Sequence, residues 1–362
     1  MKSLWSYISR NLPLHWISEP KPPKGWWVLA GLFIGVIFLG QCQVQESPSA
    51  DEALPQSLAQ VQLHIQQNHN LLLLLNEVLA QMEAEKPTGI QAGTLDRLAE
   101  ISRAFVAYPD LEKEGAEGRK RSPERGQLLI ALAHMGLDSL SVDRLAPHVS
   151  FAQADLRGVD LNRAYLKGVN LHQADLQDAS LWGAELSKAN CWGANFQGAN
   201  LSHAHLTATN FKTAILDWAK LDESQMARAD FNGASLASVS LRRVAGQASS
   251  FMWTDMRGAS LQGGDFSGAN LVGAELIQAN LEGAILNEAD VRRTDMTEAH
   301  LVDVHWQKAR LSRLVVQGAT VSRADWLEKL TDWEAENAAD MQQAYVLRPN
   351  PGTAHSFWLD HP

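Results

Sequence analysis

Between Phe151 and Trp326 an apolar residue recurs at every fifth position, without insertion or deletion. The series runs Phe151, Leu156, Leu161, Leu166, Leu171 and onward for 36 positions, and Gly246 alone breaks it. A period of five is neither the 3.6 of a helix nor the 2 of a strand. A fixed short period marks a solenoid. Two residues before each centre stands a second, small series: Ala154, Val159, Ala164, Val169, Ala174. It stays small through Ala309, and Leu314 is its only large member. Each pentad therefore offers two inward residues, one large and one small. The residue between them is mostly polar, as in Asp155, Asp160 and Asn170, and the two after the centre are polar or Gly. Those residues tolerate the sharp backbone that a turn every five residues demands.

The stretches Ala154-Asp155-Leu156-Arg157-Gly158, Ala194-Asn195-Phe196-Gln197-Gly198 and Ala269-Asn270-Leu271-Val272-Gly273 resemble the pentapeptide repeat family, whose pattern is A-(D/N)-L-x-x. The resemblance covers residues 149–326. It implies an all-β solenoid, a right-handed quadrilateral β-helix with four pentads per coil and about nine coils. At roughly 4.8 Å per stacked layer that is a rod about 40 Å long. Residues twenty apart should then stack. One column reads Leu161, Leu181, Leu201, Leu221, Leu241, Leu261, Leu281, Leu301, and another carries Phe211, Phe231 and Phe251 in succession. The column through Leu206, Met226, Gly246 and Phe266 loses a side chain at Gly246, which predicts a gap and an irregular coil over residues 243–250.

The N-terminal half follows other patterns. Residues 1–24 form a basic segment, with Lys2, Arg10, Lys21 and Lys24 against Glu19 alone. An uncharged apolar run follows, and residues 25–43 read as a single transmembrane helix, with Trp26 and Trp27 placed as interfacial aromatics. A cleaved signal peptide fits less well, because the leading segment is long and no A-x-A site follows. Leu39-Gly40-Gln41-Cys42 resembles a lipoprotein cleavage site, but Gln before the Cys fits poorly. The basic residues all precede the span, so the positive-inside rule expects the N-terminus in the cytoplasm and the solenoid outside it, on a bacterial cytoplasmic membrane.

Residues 44–53 are a polar linker, and 54–146 an α-helical region. There Leu58, Val61, Ile65, Asn68, Leu72, Leu75, Leu79 and Met82 alternate by four and three, a heptad seam. It serves either a parallel dimer stalk or an intrachain bundle. The uncharged flanking positions and the all-round apolar Leu71 to Leu75 favour the bundle. Partners are available at 94–108 and after Ser122-Pro123-Glu124, an N-cap with a first-turn proline. Residues 327–362 leave the repeat as short helices and a hairpin, a C-terminal cap over an otherwise adhesive edge. A homodimer through the helical region or this cap is a further expectation.

Charge separates the functions open to such a rod. The formal net charge is −10, but residues 150–326 hold sixteen basic and nineteen acidic side chains. Some members of the family mimic DNA and modulate a topoisomerase, using a strongly acidic rod. A duplex carries one negative charge per roughly 1.7 Å, and this rod falls far short, so no nucleic-acid-like role is expected unless the solenoid is cytoplasmic. No nucleotide, zinc-protease or serine-hydrolase motif occurs. His300 and His305 share a repeat position and point outward, as solvated residues do. Two cysteines give no disulfide framework; Cys191 is an inward centre and Cys42 lies just past the span. The sequence therefore reads as a membrane-anchored, non-enzymatic scaffold without cofactor, presenting a rigid surface to an unidentified protein. Exposed Trp182, Trp192, Trp218 and Trp253 are its candidate contact residues.

Overall fold

The computed structural model describes residues 56–85, 90–108, 120–135, 139–350 and 356–362. From Ser150 to Thr320 the backbone repeats one unit, a turn of two residues and an isolated bridge residue, every five residues. The bridges are parallel and twenty residues apart: Asp155 pairs with Asp175, Asp175 with Asn195, Tyr165 with Glu185. Four pentads thus close one coil. The rule of pairing is constant. A centre donates its N–H to the carbonyl nineteen residues on, as Leu156 does to Asp175 at 2.7 Å. The corner residue two places later donates to the carbonyl nineteen on, as Gly158 does to Gln177 at 2.8 Å. That corner residue has positive φ throughout, for example Gln153 at 60° and Gly158 at 63°.

The centres and the small series fill the interior. Leu161, Leu181, Leu201, Leu221, Leu241, Leu261, Leu281 and Leu301 are all buried, as are Phe211, Phe231 and Phe251. Of the polar members of the small series, all but Ser224 return their hydroxyls to the backbone. Thr209 Oγ1 donates to the Leu186 carbonyl and Thr294 Oγ1 to that of Leu271, each at 2.8 Å. Such bonds remove most of the desolvation penalty of a buried hydroxyl.

The coil at Gly246 is regular, which corrects the expected gap. Gly246 donates to Asp265 at 2.8 Å and Ala248 to Ser267 at 2.9 Å, as in every other coil. The missing side chain is replaced by a neighbour. The Phe266 ring lies where a Gly246 Cβ would stand 3.1 Å from its Cδ1, and a Gly264 Cβ 2.6 Å from its Cε2. Two glycines make room for one phenylalanine.

Among the described residues four helices precede the rod: α1 (Gln56–Glu85), α2 (Ala92–Ala104), α3 (Pro123–His134) and α4 (Ser139–Leu145). The seam of α1 at Asn68, Leu72, Leu75, Leu79 and Met82 is buried, and α1 packs on α2 within the chain. Asn68 is used within the chain. Its amide accepts from the Val106 N–H at 3.2 Å and donates to the Val106 carbonyl at 3.1 Å, holding the chain as it leaves α2. The Ser122 hydroxyl caps α3 by accepting from the Arg125 N–H.

The helices are fastened to the first coils by two arginines. Arg125 donates to the carbonyls of Phe105 and Ala152, both at 2.7 Å. Arg121 reaches Asp175 at 2.6 Å, and Asp175 is 1% exposed. At the other end β1 (Thr320–Val321) pairs with β3 (Phe357–Asp360), and β3 with β2 (Val346–Pro349), all antiparallel. Helices α5 (Trp326–Asp332) and α6 (Ala338–Ala344) lie between β1 and β2 in the chain.

The fold expectation is corrected in a second respect. Among the described residues no helix is long and apolar enough to cross a membrane. The span expected at 25–43, the basic segment 1–24 and the linker 44–53 lie outside the described residues.

Candidate functional site: a rod face between two exposed tryptophans

The four candidate tryptophans separate into two kinds. Trp182 is built into a surface column. The Arg163 guanidinium lies 4.9 Å over its ring, and His203 meets it edge-on at 5.4 Å. The column continues through Glu223, which meets His203 on one side and pairs with Arg243 on the other, each step twenty residues long. Trp192 rests on His172, with ring centroids 4.8 Å apart, while His172 Nδ1 lies 3.0 Å from the Trp192 carbonyl oxygen. Trp182 and Trp192 centre on pentads two apart, so the four-sided coil sets them on opposite sides.

Trp218 and Trp253 are the most exposed, at 59% and 57%. Both occupy the corner position, with φ of 57° and 56°. An L-residue there costs roughly 1–2 kcal/mol relative to glycine, and twelve corners along the rod are glycine. Trp253 follows the centre Phe251 and Trp218 follows Leu216, so the two corners border the same side from its two edges. They stand 35 residues apart, which is just under two coils, or roughly 8 Å along the axis. Trp253 is held flat: a Cβ on Gly273 would fall 2.3 Å from its Cε3. One ring face lies on that glycine and the other looks outward. The side chains between the two corners include Ile215, Ala237, Ser235 and Ile277, which are all half-buried.

Between these corners Arg257 is the one base beside the acids Asp217, Asp255 and Glu275. Arg257 donates through Nε and Nη2 to the two oxygens of Asp255, at 2.8 and 2.6 Å. These bonds hold the Asp255 carboxyl below the usual carboxylate range and raise the Arg257 guanidinium. The same two-residue fork recurs at Asp155–Arg157 and Asp290–Arg292. On the neighbouring sides Asp222 pairs with Arg242 at 2.7 Å and Asp230 with Lys212 at 3.1 Å. Much of the acidic charge of the rod is thereby met by a neighbour from its own or the adjoining coil.

The other residues singled out in the sequence fall elsewhere. His300 Nδ1 lies 2.9 Å from Thr320 Oγ1, and His305 lines a cleft at the end of the rod. Cys191 is buried, and burial pushes its thiol up. Sequence reasoning missed Gly273. Its signal was a glycine twenty residues after a tryptophan, at the same corner.

Comparison with known proteins places this geometry. The family model for pentapeptide repeats matches in 8 copies, over residues 148–183, 174–212, 184–222, 249–288 and 274–311. These matches pass over the stretch around Gly246. Among solved structures, HetL, a pentapeptide repeat protein involved in heterocyst differentiation regulation from Nostoc sp. strain PCC 7120, is 28% identical. It aligns over 47% of this chain and 81% of its own, with a TM-score of 0.26. The plasmid-mediated fluoroquinolone resistance protein QnrB1 is 15% identical over 50% of this chain and 96% of its own, with a TM-score of 0.32. A pentapeptide repeat protein of the Arabidopsis thaliana thylakoid lumen is 22% identical over 38% and 77%, with a TM-score of 0.20. No curated protein matches the chain.

Proposed function

We propose that this chain, which belongs to the pentapeptide repeat family, is a non-enzymatic scaffold that binds a protein partner along the rod side bordered by Trp218 and Trp253. One observation carries the reading. Two large aromatic rings are kept more than half exposed at corners where the backbone favours glycine. Exposed tryptophan on a rigid frame is the usual centre of a protein contact, since it brings a large area at little entropic cost. Along the rod, acids such as Asp255 and Asp222 are paired with arginines of their own or the adjoining coil. That pairing argues against a DNA-like acidic rod, which would have to present its acids unpaired at regular spacing. The scaffold reading does not depend on a membrane anchor.

Site-specific photo-crosslinking in the native cell tests it. A crosslinking residue at Ala237, between the two tryptophans, should give a discrete protein adduct. The same residue at Ala227, at the equivalent place on another side, should not. Equal adducts from both, or none from Ala237, would remove this face from the function.

A further inference from the structure

We propose that Arg293 and Arg313, on the corner above Trp253, form an anion-binding subsite that takes a short carboxylate-bearing segment of the protein partner. That the occupant is a protein rests on the scaffold reading above. The corner column climbs from Trp253 through Gly273 to Arg293 and Arg313, twenty residues per step, with φ of 56°, 70°, 59° and 61°. The Trp253 ring fills the level of Gly273. The two arginines are therefore the next side chains in the column. Coil levels lie roughly 4.8 Å apart, which sets two like charges side by side on an exposed corner.

Most arginines of the rod are engaged. Arg157, Arg242, Arg257 and Arg292 each meet a carboxylate, and Arg163 lies over the Trp182 ring. The guanidinium groups of Arg293 and Arg313 have no ion pair, hydrogen bond or ring contact among the described residues. The acids nearby are already occupied. Asp290 accepts from Arg292 at 2.7 Å and from Arg310 at 3.1 Å, and Glu336 accepts from Arg310 at 2.8 Å. Asp295, around the corner, accepts from the Thr297 hydroxyl at 2.6 Å. One coil further on its place is taken by Val315, which is 38% exposed. Arg292, Arg293, Arg310 and Arg313 thus outnumber Asp290 and Glu336 by two.

Two neighbouring guanidinium groups repel each other unless an anion lies between them. Their planar forks suit a carboxylate, which accepts two N–H bonds at once. The length of the occupant follows from the column. From the level of the Trp253 ring to that of Arg313 is roughly 10 Å, or about three residues of extended chain. An apolar side chain on the ring and one or two carboxylates beside the arginines fit that distance. A long polyanion does not. A duplex carries one negative charge per roughly 1.7 Å, and down this corner it would run onto Asp295, Glu275 and Asp255, which have Arg257 alone among them. The negative stretch of the partner is therefore short, with an apolar residue next to it.

Fluorescence anisotropy of a dye-labelled Leu-Ser-Glu-Glu-Ser peptide on the full chain tests this. The peptide should bind at least tenfold more tightly than Leu-Ser-Gln-Gln-Ser. R293Q/R313Q should lose at least tenfold in affinity without losing stability, because Gln153 and Gln173 already stand at this corner in the first two coils, with φ of 60° and 56°. R228Q removes an equally unpaired arginine on another side and should change nothing. No binding, equal binding of the two peptides, full affinity in R293Q/R313Q, or an equal loss in R228Q would overturn the proposal. Inorganic phosphate that displaces the peptide at equal concentration would assign the subsite to phosphate and also overturn it. The scaffold reading fails separately. Arginine-dependent peptide binding without an Ala237 adduct would keep the subsite and remove the face, whereas an adduct with no such binding would remove the subsite alone.

Discussion

Phe211 and Phe231 lie parallel inside the rod, with ring centroids 4.9 Å apart and planes within 5°. Isolated aromatic pairs prefer an offset or edge-on arrangement. Here the coil spacing fixes the separation, and Phe251 extends the stack at another 4.9 Å. Phe196 and Phe266 then close it edge-on at 5.5 and 5.9 Å. Phe231→Ala removes the middle ring and should cost about 3–5 kcal/mol. Denaturant unfolding of the purified chain measures it. A loss under about 1 kcal/mol would mean that the column does not stack as described.

Gly246 and Gly264 are both small because Phe266 is large. Either Gly246→Ala or Gly264→Ala should destabilise by about 1–3 kcal/mol through overpacking. Adding Phe266→Leu should recover part of that loss, giving a positive coupling in a double-mutant cycle. Strict additivity would show that the ring does not occupy the space of the two glycines.

Arg121 and Asp175 form the buried ion pair that ties the helical region to the second coil. Asp175→Ala removes the buried carboxylate that Arg121 contacts and should cost about 3–5 kcal/mol. Amide exchange should accelerate first in α3 and the opening coil, not in the middle of the rod. Uniform acceleration would place the fastening elsewhere.

The surface forks make a modest acid limb. The carboxyl of Asp255 is held below its ordinary range when folded, chiefly by its bonds from Arg257. Its contribution is therefore present above the ordinary carboxylate pKa of about 3.9 and is lost as pH falls through the folded value. Asp255→Asn should lower stability at pH 7 by under about 1 kcal/mol, as for exposed pairs, and have no effect near pH 2. A variant that is equally destabilised at both pH values would show that the fork is not the cause.

The sequence was most legible where one rule repeats. The period of five and the stacking of Leu181, Leu201 and Leu221 follow from the spacing alone, because each coil is a copy of the last. That Trp218 and Trp253 border one side follows from the same arithmetic, once four pentads make a coil. What resisted reading depends on neighbours and on rotamers. A glycine at 246 announces a lost side chain, but only the direction of the Phe266 ring decides whether a void results. The Asn68 seam had two readings, since an asparagine suits a dimer register as well as a backbone clamp, and Val106 lies 38 residues away. The end of the ladder at Trp306 was invisible for a similar reason. The regular ladder stops there because the Asp325 carbonyl, one residue before Trp326, accepts from Lys329 in the first turn of α5.

The central claim is that Trp218 and Trp253 are kept for contact and not for folding. Trp218→Gly/Trp253→Gly tests it most directly, because glycine suits both corners. The measurement is the unfolding free energy of the double variant, together with its yield of the partner adduct formed from Ala237. The account predicts an unfolding free energy equal to or above that of the parent and an adduct reduced at least tenfold. A rod destabilised by several kcal/mol, or an undiminished adduct, would make the two tryptophans packing residues and contradict the account.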